Sequence, residues 1–142
     1  MSQMKANKVI NGSFGKVWVD GELFANVKSF EAKNTLNYED VEIAGDLGTH
    51  QKYMGYEGSG TMTLHKIDTR IGKKMASAVK TGEMPEINIV SSLSDPAAYG
   101  AERVKLIEVT FDEVTLMKFA NKELQEEEVP FKYADYDYID MI

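Results

Sequence analysis

Apolar and polar residues alternate with a period of two along most of this 142-residue chain, and only one stretch changes to the period of a helix. Neighbouring side chains on a strand point to opposite faces, so this alternation builds sheets with one covered and one open side. The chain therefore reads as mainly β: a sandwich or barrel of six to seven mostly antiparallel strands with one flanking α-helix. Its sharpest signal lies near the start, where residues 14–19 and 23–32 alternate on either side of Asp20-Gly21. A type I′ hairpin turn needs positive φ at both central positions, which Gly adopts freely and Asp tolerates.

Residues 37–43, 61–67, 87–93 and 103–116 repeat the strand pattern. Within 103–116, Ile107, Val109 and Phe111 are expected to face the core, with Glu108, Thr110 and Asp112 on the other side. A last strand covers 128–133, with Val129, Phe131 and Tyr133 on one face. The tail 133–142 alternates aromatics with aspartates, as an edge strand or a docking strap. The helix spans 69–81, where Ile71, Met75, Ala78 and Val79 form one apolar stripe. Asp68 or Thr69 caps its start, and Gly82 takes the C′ position ahead of Pro85. Residues 44–60, AGDLGTHQKYMGYEGSG, hold five glycines and no sustained period. That length exceeds the usual connection of about 4–6 residues. Leu47, Tyr53, Met54 and Tyr56 also carry too much apolar surface for a solvated linker, so the segment reads as a long loop that docks on a partner. No repeat or linker divides the chain, and residues 1–142 read as one domain.

The inventory for chemistry is small. With no cysteine there is no disulfide, thiolate metal site or thiol nucleophile. The two histidines, His50 and His65, have neither metal-ligand spacing nor an accompanying motif, and His65 falls on a strand's polar face. The glycines of GYEGSG at 55–60 lead into a strand, whereas a phosphate-binding loop leads into a helix. The carboxylates of 126–128 and Asp135, Asp137 and Asp140 sit in acidic runs with no apolar pocket around them. They also lack the spacing and glycine of a twelve-residue calcium loop. No catalytic residue, metal or cofactor is expected, and the chain is not read as an enzyme. A formal charge of −7 argues against tight binding to a phosphate backbone. The first ten residues lack a signal peptide's apolar core, and no run of about 18 apolar residues is present to span a bilayer, so no membrane binding is expected.

Charge is unevenly placed. Between residues 66 and 80, Lys66, Arg70, Lys73, Lys74 and Lys80 stand against Asp68 alone. Between 123 and 142, seven acids including Glu126, Glu127 and Glu128 stand against Lys132 alone. Both stretches read as solvated faces or as opposite patches that meet between copies, head to tail.

Four stretches carry a family resemblance: NGSFGKVWVDGELFANVKSFEA, KYMGYEGSGTMTLHKI, DPAAYGAERV and EEEVPFKYADYDYID. In this order they resemble the tail tube proteins of contractile phages, phage-like elements and phage-tail-like bacteriocins, over nearly the whole chain. The resemblance implies a β-sandwich-like fold with a flanking helix and hexameric rings whose inner sheets join into one barrel around a lumen. Rings stack head to tail into a hollow tube inside a contractile sheath, which conducts DNA or punctures a target envelope. Implied partners are further copies of the chain and sheath, baseplate or initiator, and terminator proteins, with DNA only as transiting cargo where a capsid exists. The implied location is a virion or tail-like particle, with synthesis in the host cytoplasm. The family's inter-subunit loop can match only 44–60 here, with Leu47, His50, Lys52, Tyr53, Met54 and Tyr56 as contact residues. Candidate lumen carboxylates, which would repel transiting DNA, are Glu39, Glu42, Glu108 and Asp112. Candidate complementary assembly patches are Arg70, Lys73 and Lys74 with Glu126, Glu127 and Glu128. Joining sheets edge to edge pairs the backbone groups that an open sheet leaves bare. Two other readings stand beside this one. The first is a related ring protein, such as a secretion-system tube or a tail terminator. The second is a small-ligand-binding β-sandwich with a pocket built from Trp18 and the tyrosines.

Overall fold

A computed structural model describes residues 5–142; residues 1–4, the beginning of the stretch read as lacking a leader's apolar core, lie outside it. Among the described residues the strands are β1 (Gly15–Val19), β2 (Glu22–Leu23), β3 (Val27–Val41), β4 (His50–His65), β5 (Ile87–Leu93), β6 (Glu102–Phe111) and β7 (Glu126–Asp140). One α-helix, α1 (Arg70–Thr81), lies between β4 and β5. All seven strands join a single antiparallel sheet in the order β2-β1-β5-β6-β7-β4-β3. The sheet curls until β1 comes back against β3. It encloses one core, to which Val19, Met62, Ile89, Leu106 and Phe131 contribute from five different strands, and α1 adds Ile71 and Met75. The mainly-β architecture with one flanking helix takes this form. No helix among the described residues is long and apolar enough to cross a membrane.

The Asp-Gly turn forms as expected, with φ of 50° at Asp20 and 82° at Gly21. Its return strand is short, however. Phe24 drops into the core at 2% exposure, and its N–H donates to the Val17 carbonyl at 2.9 Å. The chain then turns at Asn26, whose side-chain amide donates to the His65 carbonyl at 2.7 Å, while the His65 N–H donates to the Asn26 carbonyl at 2.8 Å. These bonds fasten the start of β3 to the end of β4, so residues 27–32 pair with β4 and not with β1. The strands expected at 27–32 and 37–43 are one continuous strand, β3.

The expected loop at 44–60 is the main correction. The connection is only residues 42–49, and His50 onward belongs to β4, paired with β3 back to Val41↔His50. Glycines conceal this strand by removing the apolar half of its alternation. Gly58 and Gly60 lie beneath the rings of Tyr133 and Phe131, and a Cβ at Gly60 would collide with the Glu31 carbonyl and the Phe131 ring. Aromatic side chains from β7 thus fill the space that β4's own side chains would otherwise take.

Three smaller corrections have similar causes. On β6, Glu108 has φ 53°, and the pairing Ile87↔Val109 followed by Ile89↔Leu106 places one extra residue on β6. This bulge re-phases the strand, so Leu106 and Val109 are buried while Ile107 and Phe111, expected inside, are only half-buried. β6 also stops at Phe111 instead of 116. At the other end, β7 runs to Asp140, and residues 135–140 of the expected edge strand or strap pair with β6. On α1, Ile71, Met75 and Ala78 are buried, but Val79 is 60% exposed. Asp68 Oδ1 accepts from the Arg70 N–H at 3.2 Å, and Gly82 takes φ 81° with its N–H on the Ala78 carbonyl.

Candidate functional site

β4 pairs with β7 only from Gly58↔Tyr133 to His65↔Glu126. Beyond Gly58, residues 50–57 pair with β3 alone, and residues 134–140 of β7 pair with β6 alone. Residues 34–41 and 50–57 therefore leave the sheet together as a two-stranded arm. Both its edges carry unpaired backbone groups among the described residues, since β3 is the last strand of the sheet. A two-stranded ribbon is marginal by itself in water, and open edges invite further pairing.

One bulge sorts the arm's side chains. The register passes from Asn37↔Gly55 to Tyr38↔Tyr53, with Met54 as the extra residue and Gly55 at φ 131°. Tyr53 and Tyr56, three apart, would otherwise point to opposite sides. With the bulge, the pairs Leu36↔Tyr56 and Tyr38↔Tyr53 share one face, while Glu39↔Lys52 and Val41↔His50 share the other. The aromatic face continues the line of Phe30↔Met62 and Gly58↔Asn34, so it extends the core side of the sheet into solvent. Leu36, Tyr38, Tyr53 and Met54 stay exposed there.

Local contacts order the arm. Tyr38 and Tyr53 meet edge to face at 5.8 Å between ring centroids. At the root, Tyr56 packs edge to face on Tyr136 at 5.9 Å and donates its hydroxyl to the Ala134 carbonyl at 3.2 Å. Loss of solvent there, with the Asp135 carboxylate beside it, pushes the Tyr56 phenol above its ordinary value. At the tip, Asp46 accepts from the Gly48 N–H at 2.9 Å and meets His50 Nε2 at 2.6 Å. The Gly48 N–H and then His50 hold the Asp46 carboxyl below the usual carboxylate range. Leu47 points fully into solvent. The expected contact residues Leu47, His50, Lys52, Tyr53, Met54 and Tyr56 thus all lie on the arm, five of them in a strand, but on different faces.

The other candidate residues separate. Glu39 and Glu42 lie on the arm and Glu108 and Asp112 at the end of β6, with no strand pairing between the two sets. Asp112 stands 4.0 Å from Lys132. Arg70 is committed within the chain: it bonds Asn26 Oδ1 at 2.8 Å and the Leu23 carbonyl at 3.0 Å, and its guanidinium lies 4.0 Å from the Phe24 ring centroid. Lys74 reaches Glu22 at 3.9 Å, Glu126 pairs with Lys28 at 2.6 Å, and the buried Glu127 pairs with Lys66 at 3.4 Å. Lys73 and Glu128 make no ion pair among the described residues.

Two features escaped the sequence reading. A cleft of about 280 Å³ opens at the root of the arm between Phe30, Val104, Tyr133, Tyr136 and Tyr138, without Trp18. Residues 112–125 form an irregular connection that exposes Leu116, Met117, Phe119 and Leu124. The signal for the latter was the adjacent Leu116 and Met117, which break strand alternation after Phe111. No group of three or more His, Asp or Glu able to hold a metal occurs among the described residues.

The family model described as phage tail tube protein matches residues 2–140. The phage-like element PBSX protein XkdM of Bacillus subtilis (strain 168) is 36% identical over 136 residues, covering 94% of this chain and 92% of that protein. A chain of the PVC sheath-tube complex in its extended state, from an extracellular contractile injection system, shares the fold. It aligns with a TM-score of 0.72 at 12% identity, over 98% of this chain and 100% of that one. A chain from the sheath/tube terminator of the same system aligns equally well, at 0.72 and 13% identity over 92% and 96%. A match that runs from the second residue almost to the last, over a curled sheet with an open-edged arm, fixes the family: the chain belongs to the phage tail tube proteins.

Proposed function

We propose that this chain is the structural subunit of a phage-type tail tube, with the β3–β4 arm as its connector to neighbouring copies. The observation that carries this reading is the arm itself, with two open edges and an aromatic face that continues the core side. Such a ribbon gains stability only when another sheet pairs with its edges and covers Leu36, Tyr38 and Tyr53. Residues 1–142 act as one domain in this reading. Six copies close a ring through edge pairing, and rings stack head to tail into a hollow tube within a sheath, between baseplate and terminator. Glu108 and Asp112 present carboxylates to the lumen, where they repel transiting DNA, while Glu39 and Glu42, carried out on the arm, take no lumen position in this reading. Lys73 and Glu128 remain available as charge partners between copies. The tube belongs to a virion or tail-like particle, assembled from subunits made in the host cytoplasm, and its work is mechanical and not catalytic.

Negative-stain electron microscopy of the concentrated protein, alone and seeded with preformed baseplates, tests this reading. Hollow tubes of uniform width are expected. Single closed rings that never stack would instead favour a terminator-like role, and monomers under seeding would reject the tube assignment.

A further inference from the structure

We infer that the tip of the β3–β4 arm seats on the 112–125 connection of a second copy of this chain. The inference rests on the tube-subunit reading and adds to it the surface that receives the arm. That surface is unusual for a connection between strands: Leu116, Met117, Phe119 and Leu124 are 91%, 80%, 78% and 89% exposed. Clustered apolar side chains of this size on a soluble surface mark a site of association. Leu116, Met117 and Phe119 line a groove of about 260 Å³ with Lys66 and Thr69 at the foot of α1.

Charge selects the occupant. Residues 115–122 carry Lys118 and Lys122 and no acid, although Asp112, Glu113 and Glu123 flank the stretch. Glu126 and Glu127 also line the groove, but Lys28 and Lys66 neutralise them from within the chain at 2.6 and 3.4 Å. Lys118 and Lys122 make no ion pair among the described residues. The arm tip has the opposite make-up. Residues 39–47 carry Glu39, Asp40, Glu42 and Asp46 around exposed Val41, Ile43 and Leu47. His50 meets Asp46 at 2.6 Å and Lys52 stands across from Glu39, which leaves Asp40 and Glu42 without an ion pair among the described residues. An apolar knob ringed by acids and an apolar groove edged by lysines are complementary in both respects, which gives orientation as well as attraction. Within one chain the two do not meet, because Leu47 and Leu116 both remain in solvent. Between copies the contact is heterologous: each bound pair keeps one free tip and one free groove, so further copies add by the same contact.

The absence of cysteine allows a direct test. Chains carrying Leu47→Cys and chains carrying Phe119→Cys are mixed at high concentration with a baseplate seed and oxidised. A disulfide-linked pair of the two chains is expected, with none from Leu47→Cys mixed with Val79→Cys, an exposed control on α1. Lys118→Glu with Lys122→Glu in the receiving chain should abolish the link, and Glu42→Lys in the arm chain should restore it. Loss without restoration overturns the charge pairing. Absence of the 47–119 link, or equal linking to position 79, overturns the proposed contact. Sedimentation of the same mixtures separates the two readings. Large particles without the link leave the tube assignment standing, and single subunits throughout remove both.

Discussion

On either side of Gly58, the strands β3 and β4 keep the same ladder but meet different surroundings. From Gly58 to His65, β4 is a central strand held by β7, and Met62 and Leu64 lie in the core. From His50 to Glu57 it has β3 as its only partner, and its large apolar side chains stand in solvent. The β3–β4 ladder is therefore common to both halves; what separates them is the second paired edge that β7 supplies and the side-chain burial that comes with it. The largest test of that contrast is a pair of aromatic deletions. Phe131 is fully buried and stacks on Phe30 with ring centroids at 5.8 Å. Phe131→Ala is expected to cost about 3–5 kcal/mol in urea denaturation. Tyr53→Ala on the arm loses only an edge-to-face contact, about 0.5–1.5 kcal/mol, while impairing assembly. Equal costs would break the comparison, since the arm would then belong to the subunit's own core.

Arg70 and Lys73 sharpen the same contrast on one helix. Arg70 ties α1 to the corner at Leu23, Phe24 and Asn26. Losing those charge-assisted bonds in Arg70→Ala should lower stability by about 1.5–3 kcal/mol. Lys73→Ala, without an ion pair among the described residues, should stay within about 0.5 kcal/mol. Its effect, if the residue serves assembly, is a loss of polymer relative to the parent that is larger at low salt than at high, read by sedimentation. An Arg70 variant as stable as the parent would return that residue to the set of candidate contact groups.

The parts of the fold legible in the sequence were those fixed by local chemistry. Asp20-Gly21 announces its turn because positive φ selects so few residues, and α1 shows its stripe because Ile71 and Met75 face one surface. What failed were positions whose side of the sheet is set by residues far away in sequence. Gly58 and Gly60 look like loop residues until Tyr133 and Phe131 are seen to cover them. The bulges at Met54 and Glu108 each shift the alternation by one residue, which no periodic reading can follow. For the candidate site, the excess apolar and aromatic surface of 44–60 was visible in Leu47, Tyr53, Met54 and Tyr56. Its form was not, because a strand without inward side chains has no period. The charge patches narrow for a related reason: Arg70 and Glu127 count as surface charges in a tally and as internal partners in the fold.

Removing the arm along its register asks for less from the subunit. Deleting residues 38–54 and joining Asn37 to Gly55 through Asn-Gly keeps the pairs from Leu36↔Tyr56 inward. The shortened chain should unfold at nearly the parent's urea midpoint, because no buried core residue is lost, yet it should remain monomeric in the seeded assembly assay. Normal tube growth without the arm would show that the connector lies elsewhere.

The finest distinction lies within the arm, at Asp46. Its carboxyl is held below the usual range by the Gly48 N–H and by His50. A group with a depressed folded-state value contributes its stabilisation above its unfolded value and loses it as pH falls through the folded one. Acid should therefore loosen the tip turn only below the ordinary carboxylate range. Glu126 is shifted in the same direction, by its hydrogen bond from Lys28, but it sits on a ladder that β4 also holds. Protonation at Glu126 should leave neighbouring amides in place, whereas protonation at Asp46 takes the charge from the only acceptor seen for the Gly48 N–H among the described residues and weakens that bond. An amide NMR titration separates the two: the Gly48 resonance should move with a midpoint below that of an ordinary aspartate, while the Met62 resonance stays fixed. Asp46→Asn should abolish that titration and leave the urea midpoint unchanged. A Gly48 shift that follows an ordinary aspartate, or moves together with Met62, would mean that the tip is not ordered independently of the body.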